Sequence, residues 1–384
     1  MTNSANQPMR DLRLDVFRGL SLFCIFVDHV PDNVMSFFTL QAIGFSDAAE
    51  VFIFISGYTA ALVYGRAMDT HGIVVASARV LRRVWQLYVA HIFLFVIFTA
   101  EVSYTVMRSS NPMFNDELRV GDFLAEPHIA IIKALTLQFQ PMFLDILPLY
   151  IVLLLIFPII LATARFGLAA TLIPSALLYF IARWYNLNFM AFPADHAWYF
   201  DPLCWQFLFV IGASFGYAKV AGRDLVPRGR WVLIAAGIAA TAAAIIRFSW
   251  LLHGILDSVP ELWLKQLWPI DKTTLAPIRL FNFLALALLV ARLVPPSARI
   301  LSSGFAWPFL ICGRNSLHVF CFSILLSVLG HFILVEWNGG VAMQVCVTLI
   351  GLGLLVLLAM LLTWYRRSDT PGGRSTIALN GATE

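Results

Sequence analysis

Residues 18–33 read RGLSLFCIFVDHVPDN. An arginine enters an apolar run, and eleven residues later a histidine, preceded by an aspartate, leaves it. Eleven residues make about 3.1 turns of an α-helix, so Arg18 and His29 project from nearly the same face, ~16 Å apart along the axis. Asp15, three positions before Arg18, continues that face toward the N-terminus. Asp28 is turned by about 100° from His29. One apolar helix thus presents a cation near one end and an imidazole near the other. Taken singly, Arg18 is equally a residue that snorkels to lipid phosphates and His29 one that caps a helix end. Ionisable groups within a membrane usually face a cavity or a partner.

The rest of the chain supports the reading of that run as a membrane span. Of 384 residues 60% are hydrophobic and 12% charged, about half the charged fraction of a soluble domain. Apolar runs near 20 residues recur along the whole length, each able to cross a ~30 Å hydrocarbon core. The expected fold is an all-α polytopic membrane protein with the lipid bilayer as its solvent. Its transmembrane domain is single, residues 1–367, and residues 368–384 form a disordered cytoplasmic tail. A net charge of +4 is too small and too scattered to argue for nucleic acid. The polar first ten residues show no cleavable signal peptide. The five cysteines, all in apolar stretches without C-x-x-C spacing, read as packing residues.

Ten spans are expected, at 12–31, 48–66, 84–107, 142–164, 167–185, 203–219, 231–252, 275–293, 306–334 and 341–365. The ninth is long enough to be tilted or broken, with Gly330 as its possible end. The polar connection 108–141 should hold a short interfacial helix. Sixteen Lys and Arg residues fall in alternate loops on one side, from Arg10 and Arg13 to Arg366, Arg367 and Arg374. Five (Arg108, Arg119, Lys133, Lys265, Lys272) fall on the other. This imbalance places both termini in the cytoplasm. Arg18, Arg183, Arg247, Arg279 and Arg314 sit in or near spans and require separate explanations. Trp184, Trp198, Trp205, Trp263, Trp268 and Trp337 gather at the external ends as interfacial anchors. Trp198 and Trp205 flank a polar loop and are alternatively sugar-stacking surfaces.

The second span opens with DAAEVFIFISGY, in which Asp47 and Glu50 share a face at the membrane level of His29. A carboxylate beside an imidazole raises its pKa and fixes its tautomer; a helix cap or an interhelical salt bridge is the alternative. Arg79, Arg82 and Arg83 form a cytoplasmic cluster suited to phosphate, and ordinary for a loop on that side.

Together these pieces resemble the membrane acyltransferase type 3 superfamily. The resemblance rests on Arg18, ten intervening residues and His29; on FIFISGY (52–58); on Arg79, Arg82, Arg83 and Tyr88; and on GRNSLHVF (313–320). The fuller wording resembles the OpgC family, through RDLRLDVFRGLSLFCIFVDHVPDN, GFSDAAEVFIFISGYTAALVYG, PLYIVLLL, FDPLCWQFLFVIGA, IDKTTLAPIRLFNFLALA and SLHVFCFSILLS. These segments run from residue 10 to about 330. The resemblance implies a bacterial inner-membrane enzyme that O-succinylates periplasmic glucans from an acyl-CoA donor, which the same likeness gives as succinyl-CoA.

On that footing Arg18, Arg79, Arg82 and Arg83 would hold the donor phosphates, and His29 would act as general base or as acyl carrier. Asp47 or Glu50 would orient His29, and Asn315 and Ser316 would donate to an oxyanion. Lys272 and Arg279 would meet a succinyl carboxylate, or simply pair with Asp271. The segment FPADHAWYFDPLCW (192–205), with Asp195, Trp198 and Asp201, has the acid-plus-aromatic chemistry of a sugar site, or is a wet interfacial loop. No metal and no permanently bound cofactor is expected. A transporter for a polar solute and a membrane scaffold are the competing classes. Missing inverted repeats speak against the first, and the Arg18–His29 alignment against the second.

Overall fold

The computed structural model describes residues 11–108, 120–193, 196–253 and 270–368, and within them the architecture is helical. The helices fall into two compact units: residues 1–35 with 294–384, and residues 36–293.

The first unit is built on α1, Leu12–Asp28. Asp11 caps it by accepting from the Arg13 amide at 3.1 Å, and the Arg13 guanidinium also bonds the Val294 carbonyl at 3.1 Å. The helix stops where Pro31 approaches, since proline has no N–H and crowds the residue before it. His29 closes the last four-residue helical bond, its amide reaching Ile25 O at 3.1 Å. Against α1 pack α11 (Trp307–Arg314), α12 (Ser316–Glu336) and α13 (Val341–Ser368). The α1–α11 crossing is close because glycines meet backbone. A Cβ on Gly19 would lie 1.9 Å from Phe309 O, and one on Gly313 would lie 1.8 Å from Asp15 O.

The second unit opens with a helical run, Ala48–Arg108, broken at Gly72, whose φ of 83° is open to glycine and strained for other residues. We call its halves α2 (48–71) and α3 (73–108). There follow α4 (Pro127–Leu135), α5 (Ile146–Leu155), α6 (Phe157–Ala164), α7 (Leu168–Tyr185), α8 (Pro202–Val220), α9 (Arg230–His253) and α10 (Pro277–Leu293). Helices α2 and α8 cross closely in the same way. Cβ atoms on Gly57, Gly212 and Gly216 would lie 2.1, 2.3 and 2.2 Å from the carbonyl oxygens of Phe209, Phe54 and Tyr58. Small residues are what permit such an approach where lipid gives no hydrophobic drive. Gly57→Ala should therefore cost roughly 1–3 kcal/mol by overpacking, seen as a lower unfolding temperature of the detergent-solubilised protein. Gly237→Ala, in a helix with open space around it, should leave that temperature unchanged or raise it.

Among the described residues six helical runs are long and apolar enough to cross a membrane, with Ala48–Met107 (α2 and α3) counted as one, or seven if the α5–α6 pair, bent by 44°, is one span. Helices α1 and α10, expected as spans, run 17 residues each. Several boundaries differ from the sequence reading. The third helix starts just after Gly72, so Arg79, Arg82 and Arg83 lie within it and not in a preceding loop. The fourth expected span bends at Ile156, ahead of Pro158 in the first turn of α6. The ninth breaks at Asn315 and continues through Gly330 to Glu336. The polar connection holds two short helices, Gly121–Ala125 and α4.

Candidate functional site

The first unit carries one cluster. Asp15 is 3% exposed, and two guanidiniums approach it from different elements: Arg18 Nη1 at 4.0 Å from Oδ1, and Arg314 Nε at 3.7 Å from Oδ2. Arg18 stands on α1 and His29, partly buried, follows its last residue as the C-cap, with uninterrupted helix between them. Spacing alone gives no hint of Arg314. The late Gly-x-x-Ser segment owes its glycine to the α1 crossing, which is also what brings the neighbouring Arg314 to Asp15.

Asn315 sits beside it at the α11–α12 break, with Ser316 opening α12. The Asn315 Nδ2 amide faces three acceptors: Ile311 O at 2.9 Å, Ala359 O at 3.3 Å and Thr363 Oγ1 at 3.0 Å. An amide has two hydrogens, so in this arrangement none is left for an oxyanion, and Asn315 braces the break against α13. Asn315→Ala is expected to cost about 1–3 kcal/mol through the carbonyls it strands. The unfolding temperature should fall while turnover per folded molecule is kept.

The second unit carries a cluster of four charges. Glu50, 0% exposed, takes Arg279 Nε at 2.7 Å on Oε1 and the Asp47 amide at 2.8 Å on Oε2. Asp47 Oδ2 takes Lys272 Nζ at 2.7 Å and Arg279 Nη2 at 3.1 Å, and Oδ1 takes the Ala49 amide at 2.8 Å. Burial pushes the Asp47 carboxyl up, but Lys272 and Arg279 outweigh it and hold it below the usual carboxylate range. Burial likewise lowers the Lys272 ammonium, and Asp47 overturns that, raising it above an ordinary lysine. Lys272 and Arg279 are therefore paired, with Asp47 and Glu50 and not with Asp271.

Asp271 instead faces Arg183 at 3.7 Å and accepts from the Thr273 and Thr274 amides at 2.9 and 3.1 Å. Arg183 also bonds the Thr274 hydroxyl and carbonyl. Tyr179 Oη donates to Leu275 O at 2.7 Å, and the Trp205 indole donates to Lys272 O and Thr273 O, both at 3.1 Å. The loop carrying Lys272 is thus pinned at nearly every residue. With Arg247 Nε on Gln41 O at 2.9 Å, each of the five arginines in or near spans has an identified partner.

Of the remaining expected residues, Arg79 and Arg82 are exposed, and Arg83 bonds Gln86 Oε1 at 3.3 Å on the same face of α3. Asp195 lies outside the described residues. Trp198 is 4% exposed against Phe189, and Trp205 is buried, so neither indole offers a face to a sugar. Tyr199, 46% exposed, does. Asp201 is buried and caps α8, accepting from the Leu203 amide at 2.9 Å. Trp184 and Trp337 are highly exposed, as interfacial anchors would be; Trp263 and Trp268 lie outside the described residues.

A family model described as OpgC protein matches residues 10–367, nearly the whole chain. Neither a curated protein nor a solved structure matches it.

Proposed function

The chain belongs to the OpgC family, which implies a membrane acyltransferase acting on glucans, and from that premise we propose that it moves a succinyl group from cytoplasmic acyl-CoA to hydroxyls of a periplasmic glucan across the bacterial inner membrane. The observation that carries this reading is α1, one unbroken helix with Arg18 on it and His29 at its C-cap. A pantetheine arm is roughly 20 Å long when extended, comparable to the ~16 Å rise between those residues. Arg18 meets a phosphate of the donor from the cytoplasm, and the thioester reaches the imidazole without the nucleotide leaving that side.

His29 then takes the proton of a glucan hydroxyl as its oxygen attacks the thioester carbon. The C–O ester bond forms, the C–S bond breaks, and the proton passes to the departing thiolate. Asp47 and Glu50 act as the counter-ions that fix Lys272 and Arg279 in charged, immobile positions. Within the same unit Lys272 lies 6.0 Å from the centre of the exposed Tyr199 ring. A cation beside an aromatic face suits an anionic acyl group next to a sugar.

The experiment is transfer in proteoliposomes. With radiolabelled succinyl-CoA and linear or cyclic glucan, label should enter the glucan and be released by mild alkali as an ester. Transfer of acetyl but not succinyl would replace the donor assignment. Uptake of glucan with no transfer of label would replace the enzyme by a transporter.

A further inference from the structure

We propose that Arg314 is a second arm of an anion-binding site at the start of α1, gripping a phosphate of the donor together with Arg18. The inference rests on the acyl-CoA reading above and adds to it a residue that neither the spacing of the sequence nor the family match assigns.

Three observations carry it. Asp15 is 3% exposed and meets two guanidiniums, Arg18 at 4.0 Å and Arg314 at 3.7 Å. One carboxylate neutralises one of them at most, so the trio carries an excess positive charge. Second, Arg314 spends only its Nε on Asp15. Among the described residues its two terminal nitrogens make no further ion pair or hydrogen bond, and its side chain is 38% exposed. A guanidinium held by one edge and open at the other is poised for a bidentate oxyanion contact. Third, the backbone beneath it is fixed. Gly313 lies against Asp15 O, Gly19 against Phe309 O, and Asn315 ties the next residue to α13. Arg314 therefore presents its fork from a rigid position, as binding without much ordering cost requires. Neutralising the α11 C-terminus alone would explain a cation here, but not its alignment on a buried acid already served by Arg18.

The chemistry shared by the possible occupants is a phosphate ester, and the nucleotide phosphates of acyl-CoA are the source this reading selects. The test uses the full chain in detergent or nanodiscs, with adenosine 3′,5′-bisphosphate as the binding probe and succinyl-CoA as donor. In the wild type the bisphosphate should bind and compete with donor, and succinyl-dephospho-CoA should show a raised KM. Arg314→Gln should weaken bisphosphate binding by about tenfold or more, the scale of one charge-assisted contact. It should raise KM for succinyl-CoA with kcat kept, and shrink the difference between phosphorylated and dephosphorylated donors. Arg314→Lys, which keeps the charge and the Asp15 partner, should recover part of the binding and report on folding.

Bisphosphate binding unchanged in Arg314→Gln, or a loss confined to kcat, would overturn the inference while leaving acyl transfer from CoA intact. Wild-type protein that neither binds the bisphosphate nor transfers from succinyl-CoA would overturn both. Binding of inorganic phosphate or of anionic-lipid vesicles equal to that of the bisphosphate, and equally lost in Arg314→Gln, would overturn the nucleotide assignment.

Discussion

Arg279→Met should destabilise the protein by about 3–5 kcal/mol, because it strands a buried charge. Glu50 is 0% exposed, and Arg279, with Nε and Nη2 both 2.7 Å from Oε1, is the one cation in direct contact with it among the described residues. Lys272 is committed to Asp47 at 2.7 Å. With the guanidinium gone, Glu50 must either stay ionised without a counter-ion or take up a proton, and both are costly in that setting. The pair's net worth is a separate quantity. Replacing both members, Arg279→Met with Glu50→Met, removes the stranded charge and should recover most of the loss. Thermal unfolding of the two single variants and the double variant closes the cycle. A single variant as stable as wild type would mean that the cluster is not the anchor of α2 and α10; a double variant as damaged as the single would mean that packing, not charge, sets the cost.

That cluster marks the limit of what sequence spacing can disclose. Arg18 and His29 are legible because both lie on one helix, and helical geometry converts eleven residues into one face. Glu50 and Arg279 are 229 residues apart, and no local periodicity links them; the sequence offers Asp271 as the nearer partner for Lys272 and Arg279, and the fold gives it to Arg183 instead. The aromatic residues of 192–205 show the same limit. Trp198 and Tyr199 are adjacent, and composition favours the tryptophan as a sugar platform. A one-residue step decides which ring turns inward, and the tryptophan does. Helix ends fail for a backbone reason. The three arginines at 79, 82 and 83 start the expected third span at residue 84, whereas the helix is set by the break at Gly72 and begins eleven residues earlier. Arg314 stands out in the sequence as a charge near a span, but its partner does not, because a glycine crossing chooses it and crossing contacts leave no mark in hydropathy. What composition does disclose is the class of fold, since charge scarcity and repeated long apolar runs leave few alternatives to membrane helices.

His29→Ala is the second substitution with a large expected effect, and here the loss should be catalytic, with the fold preserved. His29 closes α1 through its backbone amide, bonded to Ile25 O at 3.1 Å, and alanine keeps that bond. Pro31 still ends the helix, so the unfolding temperature should hardly move. Removing a general base costs on the order of 10²–10⁴ in rate. Succinyl transfer to glucan should fall by that factor while adenosine 3′,5′-bisphosphate binding, ~16 Å away along the helix, stays at the wild-type level. Exogenous imidazole should restore part of the transfer in the alanine variant, which a purely structural role would not permit. The same variant separates the two forms of histidine chemistry. If His29 carries the acyl group, wild-type protein given donor without acceptor should hold hydroxylamine-labile label that the alanine variant lacks; if it acts only as base, neither protein should be labelled. Transfer at the wild-type rate in His29→Ala would remove histidine from the mechanism. The acyl-CoA donor would then need a different base, and the alignment of Arg18 with His29 on α1 would have to be explained by helix packing alone.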